Sequence, residues 1–101
     1  MRVLLTSEAK KLIAGSVKDP IIFVHRGGCA CGGLRVFAEY GSKSSADLSI
    51  RGLSFEEIGE VEGISVFMND RLKNYLEHIR VHILTIGTDS NLATLTVALT
   101  P

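Results

Sequence analysis

The stretch Arg26-Gly27-Gly28-Cys29-Ala30-Cys31-Gly32-Gly33 constrains this chain more than any other part of it. Four glycines so close together lose too much backbone entropy to sit inside a helix, and they supply no side chains to pack in a strand. The stretch is therefore expected to be a loop or tight turn. On one side, Pro20 opens the short β-branched run Ile21 to Val24, which reads as a buried strand. On the other, Leu34, Val36 and Ala38 alternate with Arg35, Phe37 and Glu39, which is strand periodicity.

The remaining signals are mostly of the same kind. Arg2 to Leu5 is a short β-rich start. Thr6 or Ser7 is placed to cap a helix with Ala9, Leu12 and Ile13 on one face and Gly15 as its stop signal. Asp47 to Arg51 alternates again, as a strand does. Phe55 to Glu60 is an irregular strand, with Gly59 hinting at a bulge. Glu62-Gly63 reads as a hairpin turn into Ile64 to Met68. Asn69 is placed to cap a second helix with Leu72, Tyr75 and Leu76 on one face. Ile79 to Ile86 and Leu92 to Leu99 alternate as strands, joined by Thr88-Asp89-Ser90-Asn91. No internal repeat is visible. The expected architecture is a strand-rich α+β fold with two short helices and mainly hairpin connections.

Length and composition bound the function. At 101 residues the chain is one domain, residues 1–101, with no room for a second core. Lys plus Arg and Asp plus Glu both number 11, so the basic excess typical of nucleic-acid or acidic-membrane binders is missing. No apolar run approaches the length of a membrane helix, and Val3-Leu4-Leu5 is too short for a secretory signal. A cytoplasmic protein is the expectation, with neither nucleic acid nor membrane as partner. Charge is unevenly spread: residues 1–45 carry seven Lys/Arg against three Asp/Glu, and residues 46–101 four against eight. Such a bipolar surface favours contacts between copies of the chain.

The two cysteines, Cys29 and Cys31, are the candidate site. One residue apart, they close too small a loop to staple a secreted fold. The flanking glycines leave both thiols unshielded. Arg26 and Arg35 flank the pair, and nearby positive charge lowers a thiol pKa. Three readings stay open: a metal or cluster site, a redox or nucleophilic thiol pair, and a turn with incidental cysteines. Tetrahedral zinc and iron–sulfur sites want four ligands, and a symmetric dimer would bring four thiolates together. A homodimer or higher homo-oligomer follows as the expectation. His25 is either structural or a helper near Cys29. His78 and His82 are expected on a helix end and a strand, and not on one helix face. Glu56 and Glu57 point to opposite faces and make a poor acid–base pair. Tyr40, Phe37 and Phe67 read as core or sheet-face aromatics. No phosphate loop, dinucleotide fingerprint or serine nucleophile motif is present.

Three segments together resemble the A-type iron–sulfur carrier family, also called HesB-like. Val3 to Ile13 looks like that family's opening strand and helix. Gly27-Gly28-Cys29 looks like its Gly-Cys-Ser-Gly motif. Gly63 to Leu76, with Val66, Asn69, Leu72 and Leu76, looks like its internal strand and helix, and Ile79 to Val97 like the hairpin after it. The family's Cys-Gly-Cys that follows the last hairpin has no counterpart in this sequence, and Cys31 joins Cys29 in the first loop instead. The resemblance implies a HesB-like mixed β-sandwich or pseudo-barrel in a divergent branch. It implies an iron–sulfur cluster or iron as what is bound, Cys29 as a ligand, and iron–sulfur assembly or recipient proteins as partners. Cys31 as a ligand rests on the residues alone. The alternative is a thiol redox protein or sensor using Cys29 and Cys31.

Overall fold

The computed structural model describes residues 1–27, 35–42, 54–89, 91 and 94–101. Cys29, Cys31 and the strand expected at Asp47 to Arg51 lie outside the described residues. Seven strands and two helices are described: β1 (Arg2–Leu5), α1 (Ser7–Ser16), β2 (Pro20–Gly27), β3 (Arg35–Ser42), β4 (Phe55–Val61), β5 (Ile64–Asn69), α2 (Asp70–His78), β6 (Ile83–Thr88) and β7 (Leu95–Thr100). They form a strand-rich α+β fold with two mixed sheets, ordered β1-β6-β7 and β3-β2-β5-β4.

Local chemistry accounts for most boundaries. Thr6 caps α1 by accepting from the Ala9 N–H at 3.2 Å. Asn69 caps α2 by accepting from the Leu72 N–H at 3.1 Å. Each satisfies an N–H that the helix leaves unpaired, worth about 1 kcal/mol. Glu62 and Gly63 turn β4 into β5 with φ of 51° and 83°, the left-handed pair that a two-residue hairpin needs. The register of β4 against β5 shifts between Glu57 and Gly59, the bulge that Gly59 signals in the sequence.

Four expectations need correction. Helix α1 does not stop at Gly15; it runs to Ser16, and the Val17 N–H still reaches Ile13 O at 3.3 Å. Arg26 and Gly27 are not loop; they pair with Val36 and Arg35 and lengthen β2. Tyr75 is not on the buried face of α2, where Leu72 and Leu76 form the seam; it is 45% exposed. The strand expected from Ile79 begins only at Ile83. Arg80 takes φ 61° after α2 and donates to Glu77 O at 3.1 Å, while the Val81 N–H reaches back to Leu76 O at 2.9 Å. These two bonds satisfy the helix's last carbonyls and spend the alternating residues 79–82 on a helix end.

The topology contains a repeat that the sequence does not show. β1-α1-β2-β3 and β5-α2-β6-β7 have the same order: strand, capped helix, strand, hairpin strand. The two units are interlocked, each lending its first strand to the other. β1 lies parallel to β6, with Val3 opposite Leu84 and Leu5 opposite Ile86. β5 lies parallel to β2, with Val66 opposite Ile22 and Met68 opposite Val24. The hairpins match too, Val24 opposite Ala38 and Ile86 opposite Val97. β4 is the one added strand among those described, on the outer edge of β5.

The core lies between the sheets and draws on both. Ile22, Val24, Val66, Met68, Leu84 and Ile86 are fully buried, with Ile13 of α1 and Leu72 and Leu76 of α2 beside them. It is an aliphatic core. The four phenylalanines, Phe23, Phe37, Phe55 and Phe67, lie outside the fully buried set. The sheet edges meet, β3 against β7 and β1 against β4, without hydrogen-bonded pairing.

Candidate functional site

The cysteine segment, residues 28–34, joins β2 to β3. Its two anchors are described, because Gly27 and Arg35 are register partners. The parallel pairing of β2 with β5 sets which end of the sheet this is. Val24 is level with Met68, and Asn69 then caps α2. Arg26 and Gly27 therefore lie at the end of the sheet where α2 begins, the positive end of its dipole.

Strand alternation sorts the hairpin into two faces. Ile22, Val24 and Ala38 face the core. His25, Gly27, Arg35, Phe37 and Glu39 share the opposite face, since register partners in an antiparallel pair lie on one side. Arg26 and Arg35 are exposed at the two strand ends.

His25 is the most constrained polar group here. Its side chain is only 14% exposed, with Nε2 3.5 Å from Glu39 Oε1. Nε2 is buried with no hydrogen-bond partner among the described residues. The imidazole packs beside the Phe37 ring, centroids 5.9 Å apart and planes at 30°. The same ring reaches over Gly27: a Cβ built there would fall 2.6 Å from Phe37 Cε2. Nothing in the alternation of residues 34–39 singles out Phe37. The usable signal is cross-strand, a bare glycine diagonally opposite an aromatic. At the same end, Asp70 Oδ1 in the first turn of α2 is also buried without a hydrogen bond.

The equivalent end of the other unit is built differently. There the Thr6 N–H donates to Ile86 O at 3.0 Å, and the β6–β7 connection leaves beside the start of α1. Asp89 closes that connection on itself. Its Oδ2 accepts from Thr94 Oγ1 at 3.0 Å and its Oδ1 from the Thr94 N–H at 3.4 Å, while the Asp89 N–H donates to Thr94 O at 3.1 Å.

The weaker candidates resolve as ordinary surface chemistry. His78 ends α2 and the exposed His82 precedes β6, its N–H bonded to Thr100 O at 3.0 Å. Glu56 is drawn to α2, where it pairs with Lys73 at 3.0 Å, and Glu77 is 3.7 Å from the same ammonium. The hydrogen bond to Glu56 raises the Lys73 pKa above its ordinary value. Phe37 and Phe67 are sheet-face aromatics, as expected. Among the described residues, no group of three or more His, Cys, Asp and Glu side chains is arranged to hold a metal. No helix among them is long and apolar enough to cross a membrane.

No family model, curated protein or solved structure matches this chain.

Proposed function

We propose that this chain is a HesB-like, non-enzymatic carrier that takes up an iron–sulfur cluster or iron through Cys29 and Cys31. One observation carries the reading: both thiols fall between the register partners Gly27 and Arg35, inside a glycine-rich segment tied at both ends. The donor chemistry fits a thiophilic cargo. Two thiolates from one chain are half of the four that a cluster or tetrahedral metal wants. A second copy facing the first across a two-fold axis supplies the other half, so the carrier acts as a homodimer or higher homo-oligomer. Arg26 and Arg35, exposed at the strand ends, offset the negative charge of the thiolate-held cargo. Iron–sulfur assembly or recipient proteins are the partners such a carrier serves, and a reducing cytoplasm keeps its thiols available. The fold part of the proposal rests on element order, a strand and capped helix over Val3 to Ile13 and again over Ile64 to Leu76.

The test is iron and acid-labile sulfide analysis of anaerobically purified protein, with a visible spectrum of the same sample. Equal iron and sulfide, with charge-transfer bands that vanish in Cys29→Ala, is the expected result. A cluster retained in that variant overturns the assignment of Cys29.

The flanking arginines favour a second reading, a thiol redox protein or sensor, because positive charge lowers thiol pKa. Cys29 and Cys31 would form a strained small-ring disulfide, giving up two electrons and two protons to an external disulfide, which is reduced to two thiols. Thiol titration of the monomer under mild disulfide oxidant checks it. Loss of both thiols supports the redox pair, and two persistent thiols exclude it.

A further inference from the structure

We infer that the open flank of α2 and the turn after it form a docking surface for an acidic protein segment that carries apolar side chains between its carboxylates. The inference stands apart from the thiol-site reading, since it uses no residue of the β2–β3 hairpin or of its connection.

The helix has two unlike flanks. Leu72 and Leu76 mark the seam against the core. On one side of that seam Lys73 pairs with Glu56 at 3.0 Å and stands 3.7 Å from Glu77, so this flank is closed by its own charges. On the other side Arg71, Tyr75 and His78 fall at i, i+4 and i+7, which places them on one stripe. Ile79 and Arg80 continue the stripe past the last turn, and His82 follows before β6. All six are exposed. Arg71, His78, Arg80 and His82 make no ion pair among the described residues. The acids of the helix stand elsewhere: Glu77 is turned to Lys73, and Asp70 Oδ1 is buried.

Folding accounts for part of this stripe and leaves the rest. The helix dipole favours a cation at its C-terminal end, which explains His78 and Arg80. The same dipole opposes Arg71 in the first turn. Arg80 holds φ 61°, a conformation that suits glycine at a helix end, so backbone preference does not select arginine there. Tyr75 is 45% exposed and Ile79 44%, two of the four large apolar side chains left so open among the described residues. Tyrosine and arginine are the residues that most often carry binding energy, and a guanidinium grips a carboxylate at two points. The matching ligand therefore sets carboxylates on Arg71 and Arg80 and an apolar group between them, on Tyr75 and Ile79. The two arginines lie about 13 Å apart along the helix, roughly four residues of an extended chain. A second copy presenting the same stripe across a two-fold axis meets like charge. Nucleic acid is a poorer match, because acidic and basic residues balance in the chain and isoleucine offers a base nothing to stack on.

The experiment titrates the full, isotope-labelled chain, under reducing conditions, with a capped synthetic peptide in which leucine and phenylalanine stand between pairs of glutamates. Amide shifts locate the contact and calorimetry gives the affinity. Shifts are expected to concentrate in residues 71–82. Tyr75→Ala, Arg71→Glu and Arg80→Glu are each expected to weaken binding by about tenfold. All three side chains are exposed, so melting temperatures should stay near the parent's. Arg71→Glu is the sharpest variant, because the dipole favours an acid there: binding falls while the helix is, if anything, better held. If Arg80→Glu fails to fold, the other two variants carry the test. Two control ligands complete it, the same peptide with glycine for leucine and phenylalanine, and a single-stranded oligonucleotide. Equal binding of the glycine peptide reduces the surface to a charge effect and overturns the docking role. Tighter binding of the oligonucleotide overturns it in favour of nucleic acid. Shifts in residues 71–82 on concentrating the chain alone overturn it in favour of a second copy. No shift there at millimolar peptide overturns it outright.

Discussion

The two interlocked units end in hairpins that occupy equivalent places and are finished in opposite ways. The β6–β7 connection is tied by Asp89, whose carboxylate and N–H all engage Thr94. The β2–β3 connection, residues 28–34, has five glycines and cysteines among its seven residues, and an aromatic ring is laid over Gly27 at its base. Both leave the sheet beside the start of a helix, Thr6 capping one and Asn69 the other. The topology thus offers two similar platforms, and side-chain chemistry commits one to structure and leaves thiols at the other. The fold itself does not distinguish the two platforms; the residues of the two connections do.

The most severe way to test this equivalence is in the core. Ile22 and Leu84 occupy matching positions, opposite Val66 and Val3, and both are fully buried. Ile22→Ala and Leu84→Ala should each cost about 2–5 kcal/mol in urea unfolding, from lost burial plus the cavity left behind. A large cost in one unit and a negligible one in the other would break the comparison.

Smaller effects are expected at the caps. Thr6→Ala and Asn69→Ala each remove an acceptor from a helix N–H, at about 1 kcal/mol. Asn69 should cost more, because it is buried and its Nδ2 also donates to Ser54 O at 3.2 Å. Equal costs would mean that the second bond contributes nothing.

The tips sharpen the comparison further. Asp89→Ala should loosen its own connection, lowering stability by about 1 kcal/mol and speeding amide exchange at Thr94, with no change in thiol reactivity. Cys29→Ala should do the opposite, abolishing metal uptake with little change in stability. Crossed outcomes would show that the two tips are not independent.

The smallest effect belongs to Lys73. Its pKa is raised by Glu56, so any stabilisation from the pair is present below the ordinary lysine pKa and is lost as pH rises through the folded value. Both partners are solvent-accessible, and exposed pairs contribute little. Lys73→Met should leave the neutral-pH melting temperature almost unchanged and flatten only its alkaline limb.

Much of this could be read along the chain. Strand alternation, both helix caps, the Glu62-Gly63 turn and the Gly59 bulge are set by residues a few positions apart, so sequence reports them directly. The misplacements also have local causes. Residues 79–82 alternate like a strand, but the bonds from Arg80 and Val81 back into α2 compete for the same backbone and win. Gly27 reads as loop because a glycine's own preference is for turns, whereas its pairing with Arg35 comes from the partner strand.

What the sequence by itself determined is therefore the seven strands and two helices that are described, their ends to within a few residues, and the segment that holds the thiols. Only the tertiary structure decided that the two units exchange their first strands, because parallel pairing of β1 with β6 and β2 with β5 joins residues far apart in the chain and leaves no local pattern. It also decided what stands at the base of the cysteine segment. The approach of Phe37 to Gly27, and of His25 to Glu39, depends on which residues face each other across a hairpin, and that register is set by burying one face of the sheet.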